Sequence, residues 1–176
     1  MESTDNKQYT RRSKSLAFLL RHDNTYVFYE HGYREVRDLV ANHGFTLDEL
    51  REIVKTDDKG RYEFLDEQQL FIRARYGHSV KVDVELPEAV PPAVLYHGTA
   101  KRFVDSIRQQ GIKKMRRLYV HLSEKEEDAL KVGQRHGEPI ALIIDARQMS
   151  DDGIKFLLSR NGIWMTDYVA PKYIHG

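Results

Sequence analysis

Thr46-Leu47-Asp48-Glu49-Leu50-Arg51-Glu52-Ile53-Val54-Lys55-Thr56-Asp57-Asp58-Lys59-Gly60-Arg61-Tyr62-Glu63-Phe64-Leu65 is the stretch in which the hydrophobic period changes. Thr46 is an N-cap residue, with Asp48 and Glu49 in the first turn that follows. Leu47, Leu50, Ile53 and Val54 recur at helical spacing and are expected to face inward. After Asp57-Asp58-Lys59-Gly60 the period becomes two. Arg61–Leu65 and Gln69–Arg73 then read as a hairpin turning at Asp66-Glu67. Upstream, Leu16, Leu19 and Leu20 predict a helix over about Thr10–His22, capped by Thr10 or Ser13. Val36, Leu39 and Val40 predict a second helix over about Arg34–His43, ended by Gly44. Three helices followed by a hairpin suggest a winged-helix module.

Downstream, Leu86-Pro87-Glu88-Ala89-Val90-Pro91-Pro92 holds three prolines and favours an extended connector. The predicted division is 1–86, a linker at 87–92, and 93–176. In the second part, Val94-Leu95-Tyr96 reads as a buried strand leading into His97-Gly98-Thr99. A helix is expected over about Ala100–Gln110, stopping at Gly111. Leu118–Leu122 is the next strand, and Ser123 is expected to cap a helix reaching about Gly133. Ile140–Ile144, Ile154–Leu158 and Gly162–Thr166 are further strands. The fold class expected is α+β, with a split antiparallel sheet in the second lobe.

Composition narrows the function. The chain has 176 residues, 40% hydrophobic and 31% charged, so it can bury a core and is not a disordered sequence. No run reaches the roughly 20 apolar residues of a membrane span. The N-terminus, Met1-Glu2-Ser3-Thr4-Asp5, lacks the apolar stretch of a secretory signal. Cysteine is absent, which removes disulfide and thiolate chemistry. A cytoplasmic location is expected, and oligomeric state is left open. The net charge of +1 means that any polyanion must be held by a local patch. Candidates are Arg11-Arg12-Ser13-Lys14, the string Arg73, Arg75, His78 and Lys81, and Lys113-Lys114-Met115-Arg116-Arg117, each of which could equally be a solvated face.

The chemistry-bearing groups are each ambiguous alone. Arg21-His22 suits a helix C-terminus electrostatically, and the same pair can grip a phosphate through a guanidinium fork and an imidazole donor. Arg61 follows an acidic turn, where a surface salt bridge is the plain reading. His97-Gly98-Thr99 can be an ordinary turn or a place where backbone approaches a flat ligand. In Tyr119-Val120-His121-Leu122-Ser123, alternation puts Tyr119 and His121 on one face and Val120 and Leu122 on the other.

In order, these groups carry more. Ser13-Lys14-x-Leu16-x-x-Leu19-Leu20-Arg21-His22, Asp58-Lys59-x-Arg61-Tyr62 and Ile72-Arg73-Ala74-x-x-Gly77-His78-Ser79 are followed by Tyr96-His97-Gly98-Thr99. Met115-x-Arg117-x-x-Val120-His121-Leu122-Ser123, Val132-Gly133-x-Arg135-His136-Gly137 and Asn161-Gly162-Ile163-Trp164-Met165-Thr166 complete the series. Over nearly its whole length the chain strongly resembles the RNA 2′-phosphotransferase family (tRNA 2′-phosphotransferase). The resemblance implies a winged-helix RNA lobe joined to an ADP-ribosyltransferase-like lobe. It implies Arg21, His22, Arg61 and Arg117 as the catalytic set that holds the 2′-phosphate. It implies His97, Gly98, Thr99, His121, Leu122 and Ser123 as contacts for NAD, consumed as co-substrate, with no metal. The substrate it implies is a 2′-phosphorylated RNA, a tRNA or tRNA-like molecule met in tRNA splicing and processing. Tyr76 stands where a glutamine is usual, Tyr119 where a histidine is frequent, and Asp23–Gly32 is shorter and more aromatic than usual. Val169 aligns with the late-strand glutamate of protein-modifying ADP-ribosyltransferases, which a phosphate nucleophile does not need. Two alternatives are an ADP-ribosyltransferase that leaves ADP-ribose on a nucleic-acid end or protein, and a non-catalytic winged-helix sensor of NAD or RNA.

Overall fold

The structure is a computed structural model and describes residues 4–176; Met1, Glu2 and Ser3, read above as part of a polar N-terminus, lie outside the described residues. The chain is mixed α and β with small antiparallel sheets, and it divides into two compact units between Glu85 and Leu86.

In the first unit, helix α1 spans Thr4–Arg21, strand β1 Arg34–Glu35, α2 Val36–His43, α3 Leu47–Thr56, β2 Tyr62–Phe64 and β3 Phe71–Ala74. The first helix begins earlier than predicted because Asn6, Lys7 and Gln8 contain nothing that stops a helix. Thr10 and Ser13 are therefore not caps. Thr10 Oγ1 instead donates to the Asn6 carbonyl at 2.9 Å, and Ser13 is buried mid-helix. Arg34 and Glu35 are not helical either; they pair with Ile72 and Phe71, giving a sheet in the order β1-β3-β2. Gly44 ends α2 in the left-handed region (φ 66°), as its residue type demands. Thr46 and Glu49 form a reciprocal capping box at the start of α3. Leu16, Leu20, Leu39, Leu50, Ile53 and Ile72 make the core, whereas Val40 is 42% exposed and not on the inner face. The hairpin turns where expected, the Asp66 carboxylate accepting from the N–H groups of Gln68 and Gln69.

An unexpected member of this core is Arg34, with its side chain only 2% exposed. It donates to Asp23 (2.8 Å), Asp38 (2.7 Å) and the Leu19 carbonyl (2.8 Å), and stacks on Tyr26. Partners of this kind offset the desolvation cost of burying the charge.

In the second unit, β4 spans Val94–Ala100, α4 Val104–Gln110, β5 Ile112–Lys113, β6 Val120–Leu122, α5 Glu126–Gly133, β7 Pro139–Asp145 and α6 Ala146–Asp151. The remaining strands are β8 Leu157–Leu158, β9 Trp164–Thr166, β10 Tyr168–Val169 and β11 Ile174–His175. They form antiparallel sheets ordered β11-β7-β4, β6-β9-β8 and β10-β5, and a Tyr96–Ser123 bridge links the first two. Leu95, Leu122, Leu142, Ile144, Trp164 and Val169 lie in the core. His97-Gly98-Thr99 is not a turn: all three residues continue β4, opposite Leu142, Ala141 and Ile140. Ser123 is not a helix cap, since its N–H and C=O both go to Tyr96 and α5 starts after Lys125. Of the 87–92 segment, Ala89 donates to Phe156 O, and Pro87 O accepts from Leu158.

Candidate functional site

Two clusters carry the chemistry-bearing side chains, one in each unit. The first forms where α1 ends. A helix terminus leaves carbonyls without intrahelical partners, and Arg21 O is taken by the N–H groups of Ser79 (2.9 Å) and Val80 (3.2 Å). That return brings residues 76–79 onto the last turn. Gly77 makes the approach possible: its φ is +87°, and a Cβ there would lie 3.1 Å from Arg21 Cζ.

Arg21 is thus covered by Gly77 and stacked near Tyr76 (5.0 Å to the ring centroid) and Tyr62 (6.0 Å), with a hydrogen bond to Tyr76. Burial, with a smaller contribution from nearby Arg61, pulls its pKa below the usual arginine value. Its Nε and Nη2 are buried without a hydrogen-bond partner. Unused donors on a buried cation carry a large desolvation penalty that an anion would relieve. Arg61 is differently placed. Asp57, whose side chain is 1% exposed, accepts from its Nε (2.8 Å), its Nη2 (2.7 Å) and its backbone N–H. Burial alone would lower the Arg61 pKa, but the Asp57 hydrogen bond and charge raise it on balance. The Arg61 bridge is therefore buried at its acidic end rather than the surface pair expected, and it orients a guanidinium beside a second cation.

His22 completes the cluster. Its Nδ1 lies 2.8 Å from Ser79 Oγ, and that hydroxyl donates to Arg21 O at 3.4 Å. With that proton committed to Arg21 O, Ser79 accepts from Nδ1–H. His78, by contrast, is 2% exposed, and burial followed by Arg21, His22 and Arg73 pushes its pKa down to about 3. It is neutral at physiological pH and is no part of a basic patch. Nor are Arg73 and Arg75, which share Glu63 at 2.7 and 3.0 Å. The structure thus brings together Arg21, His22 and Arg61 from the predicted set. Asp57 and Tyr76 join them; the sequence shows Asp57 only as part of an acidic turn and Tyr76 only as a departure from a family pattern.

The second cluster contains His97, His121 and Arg117. His97 Nδ1 is 3.1 Å from the His121 carbonyl, which can only accept, so Nδ1 carries the proton. Burial, partly offset by that hydrogen bond, lowers the His97 pKa, and Arg117 and His136 add to the lowering. His97 is neutral, with Nε2 an acceptor suited to a hydroxyl. Arg117 Nη1 is 2.6 Å from His121 Nδ1; a guanidinium cannot accept, so His121 carries its proton on Nε2. His136, in the motif after α5 but given no role from sequence, is the further neighbour of His97.

Gly98 has a different necessity from the one expected. A Cβ on it would fall 1.7 Å from the Ala129 carbonyl, so glycine is required for α5 to lie against β4. Tyr96 turns its N–H and C=O to Ser123, and strand alternation turns those of Gly98 to the same edge. Leu122 is 1% exposed and Thr99 6% exposed, so their side chains belong to the interior. Val169 is fully buried and faces Ile112 across a ladder, while Asp167 pairs with Lys114 at 3.0 Å. Among the described residues, no helix is long and apolar enough to cross a membrane, and no three His, Asp or Glu side chains group as a metal site.

Comparison with known proteins is consistent along the chain. A family model described as RNA 2′-phosphotransferase, Tpt1/KptA family, matches residues 7–168. A protein of Agrobacterium fabrum named a probable RNA 2′-phosphotransferase is 45% identical over 94% of this chain and 92% of its own. Proteins of the same name from Rhodopirellula baltica (44%, covering 96% of each chain) and Flavobacterium johnsoniae (42%, covering 92% and 93%) are similar to it over comparable spans.

Proposed function

The chain belongs to the RNA 2′-phosphotransferase (Tpt1/KptA) family, and from that premise we propose that it transfers an internal RNA 2′-phosphate to NAD. The products are 2′-hydroxyl RNA, nicotinamide and ADP-ribose 1″,2″-cyclic phosphate. The observation that carries the phosphate half of this reading is Arg21, a buried guanidinium whose Nε and Nη2 lack partners beside an Arg61 held by Asp57. A phosphate monoester is a dianion near neutral pH, its second pKa being about 6. It therefore needs no base to become a nucleophile; it needs cations to orient it.

In the first step an oxygen of the RNA 2′-phosphate attacks the anomeric carbon of the nicotinamide ribose, and nicotinamide leaves with the bonding electrons. In the second, the ribose 2″-hydroxyl attacks the phosphorus. The RNA 2′-oxygen departs and takes the proton. Arg21, Arg61 and His22 hold the phosphate, and Arg117 stabilises charge on it during transfer. For the NAD half, support comes from His97, whose Nε2 is an acceptor for a ribose hydroxyl. The edge N–H and C=O of Gly98 match the acceptor and donor of a carboxamide. Arg117 and His121 are joined in the same cluster. The first unit is read as a winged helix, supported by three helices and the β1-β3-β2 sheet. The second is read as an ADP-ribosyltransferase-like lobe, and the substrate as a tRNA or tRNA-like RNA in the cytoplasm.

The test is incubation with NAD and a short RNA bearing one internal 2′-phosphate, with mass analysis of both products. RNA lighter by one phosphate, together with the cyclic phosphate, is expected. RNA that keeps an added ADP-ribose as end product, or no release of nicotinamide, overturns the reading. Arg21→Ala should weaken RNA binding tenfold or more, as expected for a charged contact of roughly 1.5–3 kcal/mol. His97→Ala should raise the NAD requirement instead.

A further inference from the structure

We propose that the exposed face of α1 is the track for the single-stranded RNA flanking the 2′-phosphate, with one base stacked on Phe18 and backbone phosphates facing Lys14, Arg11 and Lys7. This rests on the function proposed above for Arg21 and His22.

The residues line up by helical geometry. At 100° per residue, positions 7, 11, 14, 18, 21 and 22 fall within one stripe roughly 100° wide. Lys7, Arg11, Lys14 and Phe18 are all exposed. Phe18 is 54% exposed, although the core of this unit lies on the opposite face of its own helix, through Leu16, Leu19 and Leu20. Its ring is next to His22, with centroids 6.2 Å apart and planes tilted by 49°. An aromatic surface thus begins one turn before the phosphate cluster. Further back, none of Lys7, Arg11 and Lys14 is in an ion pair among the described residues. The remaining arginine of this helix, Arg12, differs: it is turned to α3 and bonded to Glu49 at 2.6 Å.

Three exposed cations, one exposed aromatic and a buried guanidinium with spare donors run continuously for about 22 Å from Lys7 to His22, at ~1.5 Å per residue. Single-stranded nucleic acid is held by this combination of cations tracking the backbone and an aromatic face that accepts any base. An anionic membrane would match the charge, but the stripe offers it a single apolar side chain, too little to bury.

The experiment uses the full chain and fluorescence anisotropy. Its probes are a roughly 12-nucleotide RNA with one central 2′-phosphate, a 2′-phosphorylated dinucleotide too short to reach Lys14, and phosphatidylserine vesicles. Arg11→Gln with Lys14→Gln should weaken binding of the longer RNA about tenfold and reduce the salt slope by about 1.4, two contacts at ~0.7 each. Phe18→Ala should weaken it fivefold or more, from a stacking loss of about 1 kcal/mol or more. Dinucleotide affinity should hardly move, and melting temperatures should hold because the altered side chains are exposed. Equal affinity of parent and variants for the longer RNA overturns the track. So does a parallel loss for the dinucleotide, or a loss confined to vesicle binding. Nicotinamide release by the unaltered chain with the dinucleotide and NAD is read separately. Its absence defeats the proposed reaction, whereas a failed track leaves that release intact.

Discussion

Asp57 decides how Arg61 is aimed, because a carboxylate held at 1% exposure accepts from three of its N–H groups. Asp57→Asn keeps the shape but removes the charge and at least one acceptor. Arg61 should then swing, and turnover of 2′-phosphorylated RNA should fall tenfold or more, in line with roughly 1.5–3 kcal/mol for a charged hydrogen bond. Unchanged turnover in a folded variant would show that Arg61 does not act where it is aimed. His78 makes a second prediction. Its folded pKa is about 3, pushed down by burial and by Arg21, His22 and Arg73, against about 6.5 in the unfolded chain. Between those values the unfolded state binds a proton that the folded state does not, so stability is full above about pH 6.5 and falls as pH drops. The carboxylates of Asp23, Asp38, Glu49 and Glu63, all with lowered pKa values, add their own loss only nearer pH 4. His97 shifts in the same sense. Urea midpoints at pH 7.5 and 5, compared between the parent and His78→Gln, isolate the His78 part. The variant should lose less on acidification, and an equal loss refutes the assignment.

Helix α5 lies in close backbone contact with β4. Gly98→Ala puts a methyl 1.7 Å from a backbone oxygen, and Gly133→Ala puts one 2.5 Å from Thr99 O. Backbone cannot rotate away as a side chain can, so Gly98→Ala should destabilise the second unit by about 3 kcal/mol or more. Trp164, the single tryptophan, lies in that unit's core, so its fluorescence reports the melt. A melting temperature equal to the parent's would mean that the helix does not lie so close. Elements set by neighbouring residues were legible in the sequence. Thr46 and Glu49 are three positions apart and specify the start of α3, and Gly44 specifies the end of α2. Elements set at a distance were not. Gly98 is required by Ala129, thirty-one positions later, so its place in a strand looked like a turn. Ser123 has the chemistry of a cap, but Tyr96 claims its backbone first. Arg34 stands in the sequence only as the start of a predicted helix, and its burial depends on Asp23 and Asp38 around it. In the candidate site, Arg21, His22 and Arg61 were visible as types, but their supports Asp57 and Gly77 only as a turn and a motif.

Across the whole chain, 28 Lys and Arg residues nearly balance 27 Asp and Glu, and the pairing is not uniform. Arg12 is matched by Glu49, Arg34 by Asp23 and Asp38, Arg61 by Asp57, and Arg73 with Arg75 by Glu63. These neutralised arginines contribute packing and geometry but little long-range field. Among the described residues, the charges left to attract a polyanion include the Arg21 donors and exposed cations such as those along α1. Binding should therefore release few counterions. A plot of log affinity against log salt should have a slope of about −1.4 to −2.8, corresponding to roughly 2–4 contacts at ~0.7 each for single strands. Neutralising Arg73 or Arg75 should leave that slope unchanged, since Glu63 already screens both. Replacing Arg21 should lower the affinity, because two of its donors are buried and unused inside the fold. Titrations of one 2′-phosphorylated RNA between about 50 and 200 mM salt distinguish this from an extended polycationic surface, whose slope would be several-fold steeper. A steep slope that flattens in the Arg73 and Arg75 variants would show that Glu63 releases them to the RNA, and that the neutral balance of the free chain does not describe the bound one.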